Sequence, residues 1–102
     1  MKFDERVYIA TKKVPKGRVT TYKEIGLALK TKGYRAIGQA LKRNPYAPAV
    51  PCHRVVRNDG DIGGYSGNRD DDIRRKIEIL RKEGVEVKNR SVDLGRYFFR
   101  LR

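Results

Sequence analysis

A mostly helical fold with one small β-hairpin is what this sequence predicts. Three observations predict it. Apolar residues recur at three- and four-residue steps in four separate stretches, Pro and Gly punctuate the gaps, and two short extended runs, Val55-Val56 and Ile62 to Tyr65, flank the turn residues Asn58-Asp59-Gly60. At 102 residues the chain makes one domain with a modest core and is too short for two.

The elements follow in order. Phe3, Val7, Ala10 and Val14 mark the inner face of a helix over residues 4–13, with Asp4 placed to favour its positive N-terminus and Pro15-Lys16-Gly17 to end it. Val19 and Thr20 are briefly extended. Thr21-Tyr22-Lys23-Glu24 has the Thr-x-x-Glu form of a capping box and opens a helix to about Lys30, with Ile25 and Leu29 inward. After the turn Thr31-Lys32-Gly33, a helix over residues 34–43 buries Ile37 and Leu41 and turns Arg35, Gln39, Lys42 and Arg43 outward. Two short helices joined by a Gly-containing turn, the second bearing cations and a Gln, form a helix-turn-helix pattern. Ala36 and Gly38 would let that second helix approach a groove wall closely, although Gly38 weakens the helix itself.

Asn44-Pro45 stops this helix, and three of the four prolines fall in residues 45–51, a stiff connector. Beyond the hairpin, Gly63, Gly64 and Gly67 surround Tyr65 and Ser66 in a loop where backbone amides can approach a ligand. Asp70, Asp71 and Asp72 then start a helix whose buried stripe is Ile73, Ile77 and Leu80, running to Glu83 and closed by Gly84. That placement reads the three aspartates as helix-starting groups in preference to metal ligands. Val85 and Val87 predict a short strand. From Ser91 onward, Leu94, Tyr97, Phe98, Phe99 and Leu101 among arginines are too apolar for a disordered tail and predict a segment folded back on the domain.

Lys and Arg number 25 against 12 Asp and Glu, a formal charge of +13 that exceeds what solubility requires. Nucleic acid is the first candidate for a polyanionic partner and an acidic membrane surface the second. One cysteine excludes an intramolecular disulfide, and with one histidine the chain cannot build a tetrahedral structural zinc site without carboxylate help, so no metal and no cofactor are expected. With no signal-like N-terminus and no apolar run near the roughly 20 residues of a membrane span, a cytoplasmic protein is expected, nucleoid-associated in a prokaryote.

The lone Cys52 lies in Pro51-Cys52-His53-Arg54-Val55, beside the one imidazole of the chain. A thiol becomes a useful nucleophile when a cationic or proton-accepting neighbour raises its thiolate fraction, and Arg54 and His53 offer both. A buried, idle cysteine in a plain winged-helix DNA binder is the bland alternative.

Five motifs in one order then resemble the C-terminal domain of alkylguanine-DNA alkyltransferases over about residues 4–87: Pro15 to Tyr22, Arg35 to Leu41, Asn44-Pro45, Pro51 to Val56, and Gly63 to Gly67. The resemblance implies a winged helix-turn-helix fold over residues 1–88, with 89–102 as a basic aromatic tail packed on it. It implies a monomer that flips an O6-alkylated guanine out of double-stranded DNA and transfers the alkyl group irreversibly to Cys52. His53, through a water, would take the thiol proton, and Glu83 would orient the imidazole. Tyr22 would stabilise charge at the guanine as the alkyl leaves. Arg35 would fill the vacated stack, with Ala36, Gly38, Gln39, Lys42 and Arg43 along the same helix on the DNA. Tyr65, the Ser66 amide and Arg54 would line the base pocket, the Val55 carbonyl would accept from the exocyclic amine, and Asn44 would brace the segment holding the thiol. Two positions depart from the family pattern: Ala47 stands where a pocket-lining proline often occurs and Gly64 where Asn is common. A second group of relatives, the alkyltransferase-like proteins, binds such lesions without transfer and recruits other repair proteins. They are short and basic as this chain is, but typically lack the cysteine.

Overall fold

Two apolar half-cores, joined by the segment Pro51 to Val56, organise the molecule. The computed structural model describes residues 1–63 and 70–102. In chain order the elements are α1 (Phe3–Lys12), β1 (Thr20–Thr21), α2 (Tyr22–Leu29), α3 (Tyr34–Lys42), a 3₁₀ turn (Cys52–Arg54), β2 (Val55–Val56), α4 (Asp70–Lys82) and α5 (Leu94–Tyr97). The fold is mostly helical with a small two-stranded sheet, as the apolar periodicity predicts.

The first half-core is a trio of helices. Val7 and Ala10 of α1, Ile25 of α2, and Ile37, Ala40 and Leu41 of α3 bury against one another, and Cys52 and Val55 reach into the same cluster. Thr21 caps α2, its Oγ1 accepting from the Glu24 amide at 3.1 Å. The α2–α3 corner is tight: a Cβ at Gly26 would sit 2.5 Å from Tyr34 Cε1 and 2.8 Å from the Thr31 carbonyl oxygen, so only glycine fits there.

The second half-core collects Val19, Val56, Ile62, Ile73, Leu80, Val85, Val87, Val92 and Tyr97. Successive residues of a strand face opposite sides, and β2 uses this to join the halves: Val55 enters the helical trio and Val56 the α4 cluster, both fully buried. Each such valine contributes roughly 1.5–3 kcal/mol of burial.

Three details differ from the sequence expectation. β2 pairs in parallel with β1, Thr20 opposite Val55 and Thr21 opposite Val56, and among the described residues no ladder joins it to 62–63. A strand buried on both faces suits parallel pairing, while the turn at 57–61 closes through Arg57 N to the Asp61 carbonyl (2.9 Å) and Ile62 N donates onward to the Arg90 carbonyl (2.9 Å). Gly64 and Tyr65 of the expected return strand lie outside the described residues. Val85 and Val87 are buried but form no strand; the Val85 amide instead donates to the Leu80 carbonyl at the end of α4. Finally, the capping box predicts that Glu24 reaches back to its own helix. Its buried carboxylate accepts from the Leu101 amide (2.8 Å) and the Arg102 guanidinium (3.2 Å) instead. The tail is further held by Val19, whose amide donates to the Tyr97 carbonyl and whose carbonyl accepts from Phe99 N.

Candidate active site and nucleic-acid interface

The connector before Cys52 is fixed at both ends by Asn44. Its Nδ2 donates to the Val50 carbonyl (2.8 Å), while its Oδ1 accepts from the Tyr46 amide (2.9 Å). Cys52 N donates to the Val50 carbonyl and Arg54 N to the Pro51 carbonyl, both at 2.9 Å, so the thiol begins a 3₁₀ turn with little freedom. Cys52 is buried, its side chain against the helical trio.

The next two residues of the turn face the other half-core. Buried His53 places Nε2 3.0 Å from Glu83 Oε2, just beyond α4. Arg54 grips the same carboxylate with two bonds, Nε to Oε1 at 3.0 Å and Nη2 to Oε2 at 2.8 Å, and donates from Nη1 to the Val14 carbonyl at 2.9 Å. Burial pushes the Glu83 carboxyl upward, but the hydrogen bonds from Arg54 and His53 outweigh it and hold the group below its ordinary range. Burial lowers the His53 imidazole despite the pull of Glu83 in the other direction. The pair therefore sits at neutral pH as a carboxylate and an uncharged imidazole, the state in which a histidine accepts a proton. Arg54 thus braces Glu83 against the chain just past the end of α1.

Tyr22 begins α2, and its ring edge approaches α3: Cε1 lies 4.0 Å from where a Cβ on Gly38 would stand. Burial chiefly raises the phenol, with the Cys52 sulfur adding to the effect and the Arg57 guanidinium opposing it. The phenol thus stays protonated near neutrality and shares an electrostatic neighbourhood with the thiol.

On α3, Arg35, Ala36, Gln39 and Lys42 are exposed, as is Arg43 just past its end, and Gly38 is half-buried. Arg43 turns back to α1, its Nη2 3.0 Å from Asp4 Oδ2, which leaves Arg35 and Lys42 as the cations of that helix without an ion pair among the described residues. Tyr65 and Ser66 lie outside the described residues.

Two groups escape the sequence reading. Lys76 is buried in α4 and donates to the Val55 carbonyl (2.7 Å) and the Ile62 carbonyl (2.6 Å). Its place three residues after Ile73 and four before Leu80, on the apolar stripe of α4, is the signal that marks it. Arg57, beside Tyr22 in charge terms, packs its side chain within 3.2 Å of where a Gly63 Cβ would be. Among the described residues no three metal-ligating side chains cluster, and no helix is long and apolar enough to cross a membrane.

Comparison with known proteins adds a frame to this geometry. Residues 2–85 match the family model for the 6-O-methylguanine DNA methyltransferase, DNA binding domain. A bifunctional methyltransferase/endonuclease of Picrophilus torridus is 42% identical over 94 residues, covering 91% of this chain and 30% of its own length. A methylated-DNA–protein-cysteine methyltransferase of Thermococcus kodakarensis is 48% identical over 85 residues, 82% of this chain and 45% of its own. The chain therefore spans less than half the length of these curated relatives. Among solved structures, S. pombe Atl1 in complex with damaged DNA containing O6-carboxymethylguanine superposes with a TM-score of 0.81 at 32% identity, over 98% of this chain and 99% of that one. Mycobacterium tuberculosis OGT in complex with DNA gives 0.73 at 37% identity, over 81% of this chain and 50% of its own.

Proposed function

This chain belongs to the 6-O-methylguanine DNA methyltransferase family through that family's DNA binding domain, and from that premise we propose that it repairs O6-alkylguanine in duplex DNA by taking the alkyl group onto Cys52. The observation that carries the reading is the sulfur's place on one rigid turn with His53, whose imidazole is bonded to a carboxylate that is itself held by Arg54.

The proposed chemistry needs each of these groups once. His53 accepts the thiol proton through a water, using the nitrogen other than the one facing Glu83, and the resulting imidazolium is stabilised by that carboxylate. The thiolate attacks the alkyl carbon, a C–S bond forms, the C–O bond breaks, and its electron pair stays on the guanine. The protonated Tyr22 phenol stabilises that charge at the base. The thioether has no route back, so each molecule acts once. A stacked guanine hides its alkyl group, and unstacking it costs a few kcal/mol; Arg35 at the exposed start of α3 takes the vacated place, and the +13 charge supplies attraction to phosphate.

A second reading has its own support. The full-length superposition on S. pombe Atl1, a protein solved with damaged DNA, fits lesion recognition without transfer. One experiment divides the two. The protein is incubated with duplex DNA containing O6-methylguanine and then weighed intact and after proteolysis. Transfer predicts one methyl per chain, on the Cys52 peptide, and none in Cys52→Ser. Tight lesion binding with unchanged mass would overturn transfer and leave recognition.

A further inference from the structure

We propose that Tyr34, at the α2–α3 corner, is a further DNA-binding residue: its hydroxyl donates to a backbone phosphate of the duplex and grips the strand beside Arg35 without reading sequence or lesion. The inference rests on the reading above in taking α3 as the DNA face, and it deepens that reading by naming a residue that holds the strand.

The corner is rigid before any partner arrives. Lys30 ends α2 in the left-handed region (φ 59°), Thr31 N donates to the Gly26 carbonyl (2.9 Å), Gly33 N to Thr31 Oγ1 (3.1 Å) and Tyr34 N to the Lys32 carbonyl (2.9 Å). The Tyr34 ring is seated as firmly. Its Cε1 and Cδ1 occupy the notch that the missing side chain of Gly26 leaves, 2.5 and 3.0 Å from where a Cβ would stand. One ring edge is thus fixed against α2 while 36% of the residue stays exposed, and among the described residues its hydroxyl makes no hydrogen bond. Tyr8 on α1 differs: its hydroxyl donates to the Ala40 carbonyl at 2.8 Å. A phenol offers one donor, and a phenol already held in place loses little freedom on meeting an acceptor.

Charge around the corner selects the acceptor. Residues 30–35 carry Lys30, Lys32 and Arg35 and no acid; all three cations are exposed, and none has an ion pair among the described residues. Uncompensated cations around one unengaged donor suit a phosphodiester, an anion whose oxygens accept from hydroxyl groups as well as from cations. Geometry divides the work between neighbours. Successive residues of a helix point about 100° apart, so with Tyr34 against α2, Arg35 points away from the Gly26 notch and is exposed. Arg35 enters the stack, and Tyr34 holds the strand at its side. Phosphate is the same at every nucleotide, so the grip is blind to the lesion.

The test uses the full chain in a Cys52→Ser background, which keeps the lesion intact during titration, and two duplexes that differ only in one O6-methylguanine. Affinities are measured by fluorescence anisotropy between about 50 and 200 mM salt for that parent, Tyr34→Phe and Arg35→Ala. Tyr34→Phe keeps the ring in the Gly26 notch, so its thermal melt should match the parent's. It should bind both duplexes about fivefold more weakly, with an unchanged salt slope because no charge is lost. Arg35→Ala should act chiefly on the damaged duplex. A Tyr34→Phe that binds both duplexes as the parent does, while Arg35→Ala weakens lesion binding, overturns the proposal and leaves the reading of α3 intact. A Tyr34→Phe loss confined to damaged DNA overturns it as well, since a phosphate contact cannot tell the two duplexes apart. If both variants are silent in a chain that binds duplex, α3 is off the DNA and both readings fall. If Tyr34→Phe weakens both duplexes while the cysteine-bearing chain takes up no methyl, repair by transfer falls and the grip of Tyr34 stands.

Discussion

The two half-cores differ in what they expose and what they hide. The helical trio of α1, α2 and α3 hides an apolar seam and turns Arg35, Gln39 and Lys42 to solvent. The half built on α4 turns Arg74, Arg75 and Arg81 to solvent and also holds ionisable groups inside: Lys76 is fully buried on the Val55 carbonyl, and Glu83, nearly buried, holds the His53 ring. Under the proposed function, affinity and reactivity are lodged in separate halves, coupled through six residues from Pro51 to Val56. Substitutions should therefore separate the two properties.

The largest effect is expected on the reactive half. Glu83→Ala leaves the Arg54 guanidinium and the His53 ring facing a carboxylate that is gone, with side chains 15% and 2% exposed. Removing one partner of such a pair should cost about 3 kcal/mol, read by urea unfolding. Binding to undamaged duplex should change little at temperatures where the variant is folded, because α3 packs on α1 and α2. An unfolding midpoint equal to the parent's would contradict the role given to Glu83. The same residues set a pH signature. His53 is lowered from 6.5, so the folded protein keeps its base neutral as pH falls through 6.5 and loses it only further down. Between those two points the unfolded chain binds the proton and the folded one does not, so stability falls with pH across that window. Glu83 acts in the same sense: its lowered carboxyl contributes stability above the ordinary carboxylate range, lost as pH drops through the folded value.

A middle-sized effect is expected on the binding half. Arg35→Ala removes an exposed side chain at the start of α3, so its cost to stability should stay within about 0.5 kcal/mol. Affinity for duplex DNA containing O6-methylguanine should drop about tenfold, the size of effect expected when one side chain that supports an unstacked base is lost. Iodoacetamide reactivity of Cys52 should be unchanged. Loss of both together would mean that the halves are not separable.

How far the sequence reaches follows the same division. The helices were legible because their apolar residues repeat at helical spacing and because Thr21, Gly33 and Gly84 mark their ends. Cys52, His53 and Asn44 stand out as motif residues. What escaped is long-range pairing. Val55-Val56 beside Asn58-Asp59-Gly60 has the local chemistry of a hairpin, yet the buried strand found its partner at Thr20-Thr21, far back in the chain. Glu24 has the local form of a capping residue, but its carboxylate is claimed by Leu101 and Arg102 from the other end of the molecule. Arg54 sits in the cysteine motif, and no spacing announces that its guanidinium holds Glu83 from beyond α4. Local rules describe which groups are available. Which of them meet is decided by packing between segments that no spacing encodes.

The smallest effect joins the two ends of this comparison on one surface. Arg43, just past α3, is the cation that the trio withholds: its guanidinium bonds Asp4 of α1 at 3.0 to 3.3 Å, with side chains 57% and 34% exposed. An ion pair this open contributes no more than about 1 kcal/mol. Asp4→Asn should therefore leave unfolding almost unchanged while removing a negative charge and freeing Arg43 to reach phosphate. Non-specific duplex affinity should rise a few-fold, and the dependence of log affinity on log salt should steepen by about one phosphate contact, a slope change near 0.9. Arg43→Gln should show no such gain. An unaltered salt slope in Asp4→Asn would place Arg43 off the DNA path and restrict the binding face of α3 to Arg35, Gln39 and Lys42.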